Sequence, residues 1–140
     1  MSTNEPVVAH RPSLRDLAWG IAVAVLAAAA WCGWMGWDDE YQVDAATNEI
    51  SGPYEAWQVV GCVLTLLVLG VVAARWWRPF ATAIVLSVSF TVAWSVTATT
   101  MDDEETGLWM IGAVMVLVGT SAVSLLLAAM VAAVRSREPR

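Results

Sequence analysis

The sequence predicts an all-α membrane protein, a bundle of four transmembrane helices in one domain spanning residues 1–140. Three observations support this fold class. The chain is 59% hydrophobic and only 14% charged, whereas soluble domains carry about 25% charged residues. Its mean hydropathy is +0.63. Four long apolar segments are flanked by short segments that are alternately rich in arginine and rich in acidic residues.

The apolar segments set the boundaries of the four helices. The predicted spans are residues 17–37, 54–74, 80–100 and 107–134. Polar tails are predicted at residues 1–12 and 135–140. A hydrocarbon core of about 30 Å requires about 20 helical residues, and a spanning helix satisfies its own backbone hydrogen bonds. The second and third spans are joined by so short a loop that they must be antiparallel neighbours.

The basic residues predict the orientation in the membrane. All seven are arginines, and they lie before the first span, between the second and third, and after the fourth: Arg11, Arg15, Arg75, Arg78, Arg135, Arg137 and Arg140. The positive-inside rule assigns these three segments, and therefore both termini, to the cytoplasm.

The first span has an alternative interpretation. Arg11 and Arg15 precede an apolar stretch that contains the small residues 28–30, which is the pattern of a cleaved secretory signal peptide. The apolar character continues to Trp37 and exceeds what a signal peptide needs, which favours a span. Ser13 followed by Asp16 resembles a capping box at the start of this helix.

The outer loop between the first two helices predicts a small extracellular β-hairpin. Residues 41–43 and 49–51 form two short flanks, Asp44 can open a turn, and Asn48 tolerates a positive φ.

Two rows of small or hydroxyl side chains, spaced four residues apart, predict helix-packing faces. They are Gly20, Ala24, Ala28, Cys32 and Gly36 on the first span, and Ala83, Ser87, Thr91, Ser95 and Thr99 on the third. Small residues allow close helix approach in lipid, where no hydrophobic effect drives association. The hydroxyl row could also line a water-filled path, although packing is the favoured interpretation.

The acidic outer loops supply a candidate cation-binding site. Its residues are Asp38, Asp39, Glu40, Asp102, Asp103, Glu104 and Glu105. Clustered carboxylates attract hard divalent cations. Their spacing matches no defined metal cage, so no metal is assigned, and a solvated face that enforces topology is the favoured alternative.

Aromatic residues near the same end form a candidate vestibule. Its residues are Trp31, Trp34, Trp37, Trp57, Trp94 and Trp109. Aromatic faces beside carboxylates can hold an organic cation. An interfacial aromatic belt without a ligand is the alternative. Cys32 and Cys62 also lie near this end and could form a disulfide, but the absence of a C-x-x-C motif favours two packed thiols.

The sequence gives no sign of catalysis. No ionisable residue lies clearly inside a span, whereas ion-coupled transporters usually keep one there. His10 lies alone in a polar tail, and there is no glycine-rich phosphate-binding loop. We therefore expect no enzymatic activity, no cofactor and no nucleic-acid partner.

Four segments carry a resemblance to a family. They are residues 36–39 (GWDD), 43–47 (VDAAT), 52–62 (GPYEAWQVVGC) and 106–109 (TGLW). The chain resembles small uncharacterised four-helix membrane proteins of actinobacteria. The resemblance implies this topology and a multi-pass location in a bacterial cytoplasmic membrane, and it implies no mechanism.

Two functions are consistent with the sequence. The first is a non-enzymatic accessory or self-associating subunit, whose partners are the lipid bilayer and a second copy or another membrane protein. The alternative is a small transporter or channel for inorganic or organic cations, with the acidic, aromatic end as its outer vestibule.

Overall fold

The computed structural model describes residues 12–37, 42–43, 50–51, 54–101 and 107–137. Its helices are α1 (Leu14–Trp34), α2 (Ala56–Trp76), α3 (Pro79–Met101) and α4 (Leu108–Arg137). All four are long and apolar enough to cross a membrane. These helices confirm the predicted all-α protein with four candidate spans. Each begins and ends within three residues of its predicted span, and α4 continues into the predicted C-terminal tail.

Local interactions explain where the helices start. The Ser13 side chain accepts from the backbone N–H of Asp16 at 3.2 Å, and the Asp16 carboxylate accepts from the Ser13 N–H at 3.3 Å. This is the predicted capping box. At the start of α2, Gln58 Oε1 accepts from the N–H of Glu55 at 2.7 Å. Pro79 is the first residue of α3, where a missing N–H costs no hydrogen bond.

The two central helices hold the bundle together. Both α2 and α3 contact all the other helices, whereas α1 and α4 make no contact with each other in the described part of the chain. The helices α1 and α4 therefore lie on opposite sides of an α2–α3 pair. The predicted adjacency of α2 and α3 is confirmed.

Contacts at one end of the bundle join α1, α2 and α4. The indole nitrogen of Trp77, just after α2, donates to Asp16 Oδ1 on α1 at 2.9 Å. Nη1 of Arg135 on α4 donates to the backbone oxygens of Ala74 at 3.3 Å and Trp77 at 3.1 Å. These bonds satisfy carbonyls that the end of α2 leaves unpaired. We call this the arginine end; it carries Arg15, Arg75, Arg78, Arg135 and Arg137.

The buried core consists of two clusters shared by α1, α2 and α3. The cluster nearer the arginine end contains Val23, Ala27, Ala73 and Leu86. The cluster nearer the opposite end contains Trp31, Met35, Cys62 and Phe90. The helix α4 is the least buried of the four.

The predicted packing face of α1 is only partly correct, because Gly20, Ala24 and Ala28 are half-buried and the rest of the row is not. Cys32 and Gly36 of the predicted row are exposed, and the residues of α1 that are buried are Val23, Ala27, Ala30 and Trp31. An apolar helix in lipid shows no contrast between inward and outward positions, so spacing of small residues alone did not identify the buried side.

Two short strands lie between α1 and α2. The strands β1 (Gln42–Val43) and β2 (Ile50–Ser51) pair antiparallel, with Gln42 opposite Ser51 and Val43 opposite Ile50. The connecting residues 44–49 lie outside the described residues, so the complete hairpin stays a prediction.

Candidate functional site

Trp31 connects α1 to α3 at the end of the bundle opposite the arginines. Its indole nitrogen donates to Thr97 Oγ1 at 2.9 Å. Its ring makes edge-to-face contacts with Tyr54 and Phe90, at centroid distances of 5.7 and 5.6 Å. Each such ring pair contributes about 0.5–1.5 kcal/mol beyond its buried area. With 3% of its surface exposed, Trp31 is part of the core. We call this the aromatic end, after Trp31, Trp34, Tyr54 and Trp57.

Two further tryptophans pack over glycines of the neighbouring helix. The six-membered ring of Trp34 lies against Gly61, where an added Cβ would be 2.5 Å from Cζ3. Trp34 also donates to Thr65 Oγ1 at 3.1 Å. The ring of Trp94 lies against Gly112 in the same way, again at 2.5 Å. The first pair joins α1 to α2 and the second joins α3 to α4, so each requires a residue without a side chain.

The other predicted vestibule tryptophans lie nearer the surface. Trp57 packs edge-to-face against Trp34 at 6.1 Å, and its indole nitrogen donates to the Glu55 carboxylate. Trp37 is exposed, and it donates to the Gly33 backbone oxygen at 3.1 Å. Trp109 is partly exposed. The structure thus brings Trp34 and Trp57 together but places Trp31 among core residues.

The predicted cation-binding carboxylates cannot be placed relative to these rings. Asp38, Asp39, Glu40, Asp102, Asp103, Glu104 and Glu105 all lie outside the described residues. In the described part of the chain, no group of three or more His, Cys, Asp or Glu residues could hold a metal ion.

Both cysteines are free thiols in the structure. Cys62 is buried in the cluster of Trp31 and Phe90, with 1% of its surface exposed. Cys32 lies on the exposed side of α1. The two thiols therefore occupy different environments, and no disulfide joins them here.

The hydroxyl row on α3 bonds mainly to its own backbone. Thr91 donates to the Ser87 oxygen at 2.8 Å, Ser95 to the Thr91 oxygen at 2.7 Å, and Thr99 to the Val96 oxygen at 2.9 Å. The Ser87 hydroxyl is buried without a partner. These contacts favour helix packing over a water-lined path, because water would compete for the same hydroxyls.

A lateral groove runs between α1 and α2 on the outside of the bundle. It has a volume of about 580 Å³. It is lined by Leu26, Ala29, Ala30, Gly33, Trp34, Thr65, Val68, Leu69 and Val72. A Cβ added at Gly33 would have nothing within 4 Å. We call this the α1–α2 groove.

The groove was not predicted from the sequence. Ala29 and Gly33 have the small-x-x-x-small spacing that lets a second helix approach closely. The sequence contains this spacing, but the neighbouring row that includes Cys32 and Gly36 has it as well, and spacing alone does not show which row faces a second helix.

Comparison of the chain with protein-family models, with curated proteins and with solved structures gives no match in any of the three. The resemblance to actinobacterial membrane proteins therefore stays a prediction.

Proposed function

We propose that the protein is a non-enzymatic membrane subunit that acts by helix–helix association, and that a transmembrane helix of a second copy docks in the α1–α2 groove. The observation that carries this proposal is the groove floor of Ala29, Ala30 and Gly33. In lipid, association depends on van der Waals contact and interhelical hydrogen bonds. A floor of small residues allows the closest approach of two helix backbones.

The exposed face of α4 carries large apolar side chains that can occupy this groove. Ile111, Met115 and Val118 follow one another at helical spacing, and 61%, 71% and 62% of their surfaces are exposed. They form a ridge of large side chains on α4, which has no contact with α1 among the residues that the structure describes. A groove and a ridge on different sides of one molecule favour a head-to-tail contact, which closes into a ring or continues as a chain.

Energy transfer between labelled copies in liposomes tests the association. Wild-type copies carrying donor or acceptor fluorophores on their termini should show transfer that persists as lipid dilutes the protein. Gly33→Leu fills the groove and should weaken association at least about tenfold, or about 1.4 kcal/mol. Val92→Leu is the control, because Val92 is 56% exposed on α3 and lines neither the groove nor the ridge on α4.

Two outcomes of this experiment would contradict docking in the groove. Gly33→Leu that associates as strongly as wild type would refute docking in the groove. Equal loss in Gly33→Leu and Val92→Leu would show a general effect of a larger side chain.

We further propose that both termini are cytoplasmic in a bacterial cytoplasmic membrane. The support is the positive-inside rule applied to the arginines that α1, α2 and α4 share at one end. Reporter fusions at the C terminus and in the loop near Arg78 should read as cytoplasmic, and a fusion at Asn48 as external. An external C-terminal reporter would contradict this topology.

The alternative function as a cation transporter or channel rests on the acidic loops outside the described residues. No contact among the described residues favours it.

A further inference from the structure

A second cavity lies where α2, α3 and α4 meet, away from the α1–α2 groove. Its volume is about 170 Å³, it is partly enclosed, and almost all of its lining is apolar. On α2 its lining extends from Val63 to Ala74, which is about 16 Å at about 1.5 Å of rise per residue. We call this long, narrow cavity the three-helix slot.

Two glycines explain the shape of the slot. At Gly70 the helices α2 and α4 approach closely, since an added Cβ would be 2.8 Å from Leu127 Cδ2. At Gly119, farther from the arginine end, an added Cβ would have nothing within 4 Å. The missing side chain of Gly119 thus leaves space beside a tight helix contact.

The lining of the slot is unsuited to water and suited to hydrocarbon. Thr82 donates its hydroxyl to the Arg78 backbone oxygen at 3.0 Å, and Thr120 donates to the Val116 oxygen at 2.7 Å. Both hydroxyls therefore bond backbone oxygens, and Ser124 is the third hydroxyl residue in a lining that is otherwise apolar. Aliphatic cavities of about 150 Å³ stay dry and accept small apolar molecules.

One end of the slot lies beside the arginines. Ala74 and Pro79 line that end, and the residues between them include Arg75 and Arg78. Arg135 donates through Nη1 to the Ala74 oxygen. A guanidinium has five N–H donors on three nitrogens, so these bonds leave donors on the other nitrogens of Arg135. The acid described at this end, Asp16, accepts hydrogen bonds from Ser13 and Trp77, and the positive charge of Arg78 also acts on its carboxylate.

We infer that the three-helix slot binds one hydrocarbon chain of an anionic phospholipid from the leaflet at the arginine end, with its phosphate on Arg78 and Arg135. Basic side chains next to clefts between transmembrane helices bind anionic headgroups, and arginine matches phosphate geometry. The apolar slot takes the chain while the positive charge at its end selects the headgroup. This site is separate from the groove and does not depend on self-association.

Lipid titration of delipidated protein in detergent tests the site. Phosphatidylglycerol and phosphatidylcholine with identical chains are added, and bound lipid is counted by native mass spectrometry. Phosphatidylglycerol should bind saturably and at least about tenfold more tightly, because each basic residue near an anionic lipid contributes attraction. Arg78→Gln should weaken its binding about fivefold and leave phosphatidylcholine unchanged.

Slot-filling variants test where the chain lies. Gly119→Leu should lower phosphatidylglycerol affinity at least about tenfold, because the new side chain occupies the slot. Val123→Trp, at a slot-lining position that is 52% exposed, is a second filling variant if the first does not fold. Gly33→Leu is the matched control and should bind lipid as wild type does, even where it loses self-association.

Three results would overturn the inference. One is equal affinity for the two phospholipids. Another is wild-type binding of phosphatidylglycerol by both slot-filling variants. The third is saturable binding of sodium laurate without saturable binding of phosphatidylglycerol, which would make the ligand a free fatty acid and not a bilayer lipid.

Discussion

Gly61→Ala tests whether the tryptophan–glycine contacts determine the stability of the bundle. The added Cβ would lie 2.5, 2.6 and 2.8 Å from three atoms of the Trp34 ring, all far inside van der Waals contact. Trp34 has little freedom to move, because it donates to Thr65 and packs against Trp57. Either the indole shifts and loses these contacts, or the helices separate.

The size of the effect follows from these contacts. Overpacking in a close-packed interior costs about 1–3 kcal/mol, and a lost interhelical hydrogen bond in a membrane protein costs about 0.6 kcal/mol. Helix propensity contributes little, since the helices persist in the denatured state in detergent. We therefore expect Gly61→Ala to lower the free energy of unfolding by about 1–3 kcal/mol.

Reversible unfolding in mixed micelles with increasing dodecyl sulfate measures this loss. The near-ultraviolet circular dichroism of the tryptophans reports the folded packing. Gly119→Ala is the control and should change stability by less than about 0.5 kcal/mol, because nothing lies within 4 Å of its Cβ. In a Trp34→Phe background the penalty of Gly61→Ala should shrink by at least about 1 kcal/mol. An undiminished penalty there, or an unaffected Gly61→Ala protein, would refute the steric explanation.

Two further predictions concern the aromatic end. Trp31→Phe loses the hydrogen bond to Thr97 and part of two ring contacts, so it should lower the free energy of unfolding by about 1 kcal/mol. Trp76→Phe, at a position 70% exposed, is the control and should leave that free energy unchanged. Equal effects of the two variants would contradict a core role for Trp31. A membrane-permeant maleimide should label Cys32 in the folded protein and Cys62 only after unfolding, because only 1% of the surface of Cys62 is exposed. Mass spectrometry distinguishes the two labelled sites. Labelling of both cysteines at the same rate in the folded protein would contradict the burial of Cys62.

The helices could be predicted because span length depends on the bilayer and is read directly from apolar runs. The start of α1 could be predicted as well, because Ser13 and Asp16 form a local capping box whose geometry requires no distant residue. The adjacency of α2 and α3 followed from the short connection at Arg78. Each of these features depends on residues close together in the sequence.

The rotation of α3 was predicted, since Ala83, Ser87 and Thr91 of its row are buried, but the rotations of α1 and α4 were not. Trp31 was expected in an aromatic vestibule, but it packs against Phe90 and Thr97, which lie far away in the sequence. Gly112 and Gly119 have the same residue type on the same helix, yet one lies under the ring of Trp94 and the other faces open space. Only the three-dimensional contacts distinguish these two positions, because the residue type and the helix are the same at both.

The candidate site was predictable only in its position along the helices, not in the direction that its side chains face. The sequence placed the six candidate vestibule tryptophans towards the end of the bundle opposite the arginines, since aromatic residues concentrate at membrane interfaces. It did not distinguish Trp37, which is exposed, from Trp31, which is buried. The α1–α2 groove depends on how Ala29 and Gly33 face Thr65 on another helix, which no local pattern determines.

The hydrogen bond and ring contact that tie Trp31 to α3 constrain the order of events during synthesis. When α1 and α2 enter the membrane, Phe90 and Thr97 follow them in the chain and have not yet entered it. The indole N–H of Trp31 then has no α3 acceptor, and its side of α1 faces lipid or the insertion machinery. Once α3 arrives, α1 can settle into its final rotation without waiting for α4, which it does not contact in the described part of the chain. The third helix therefore fixes the final rotation of the first.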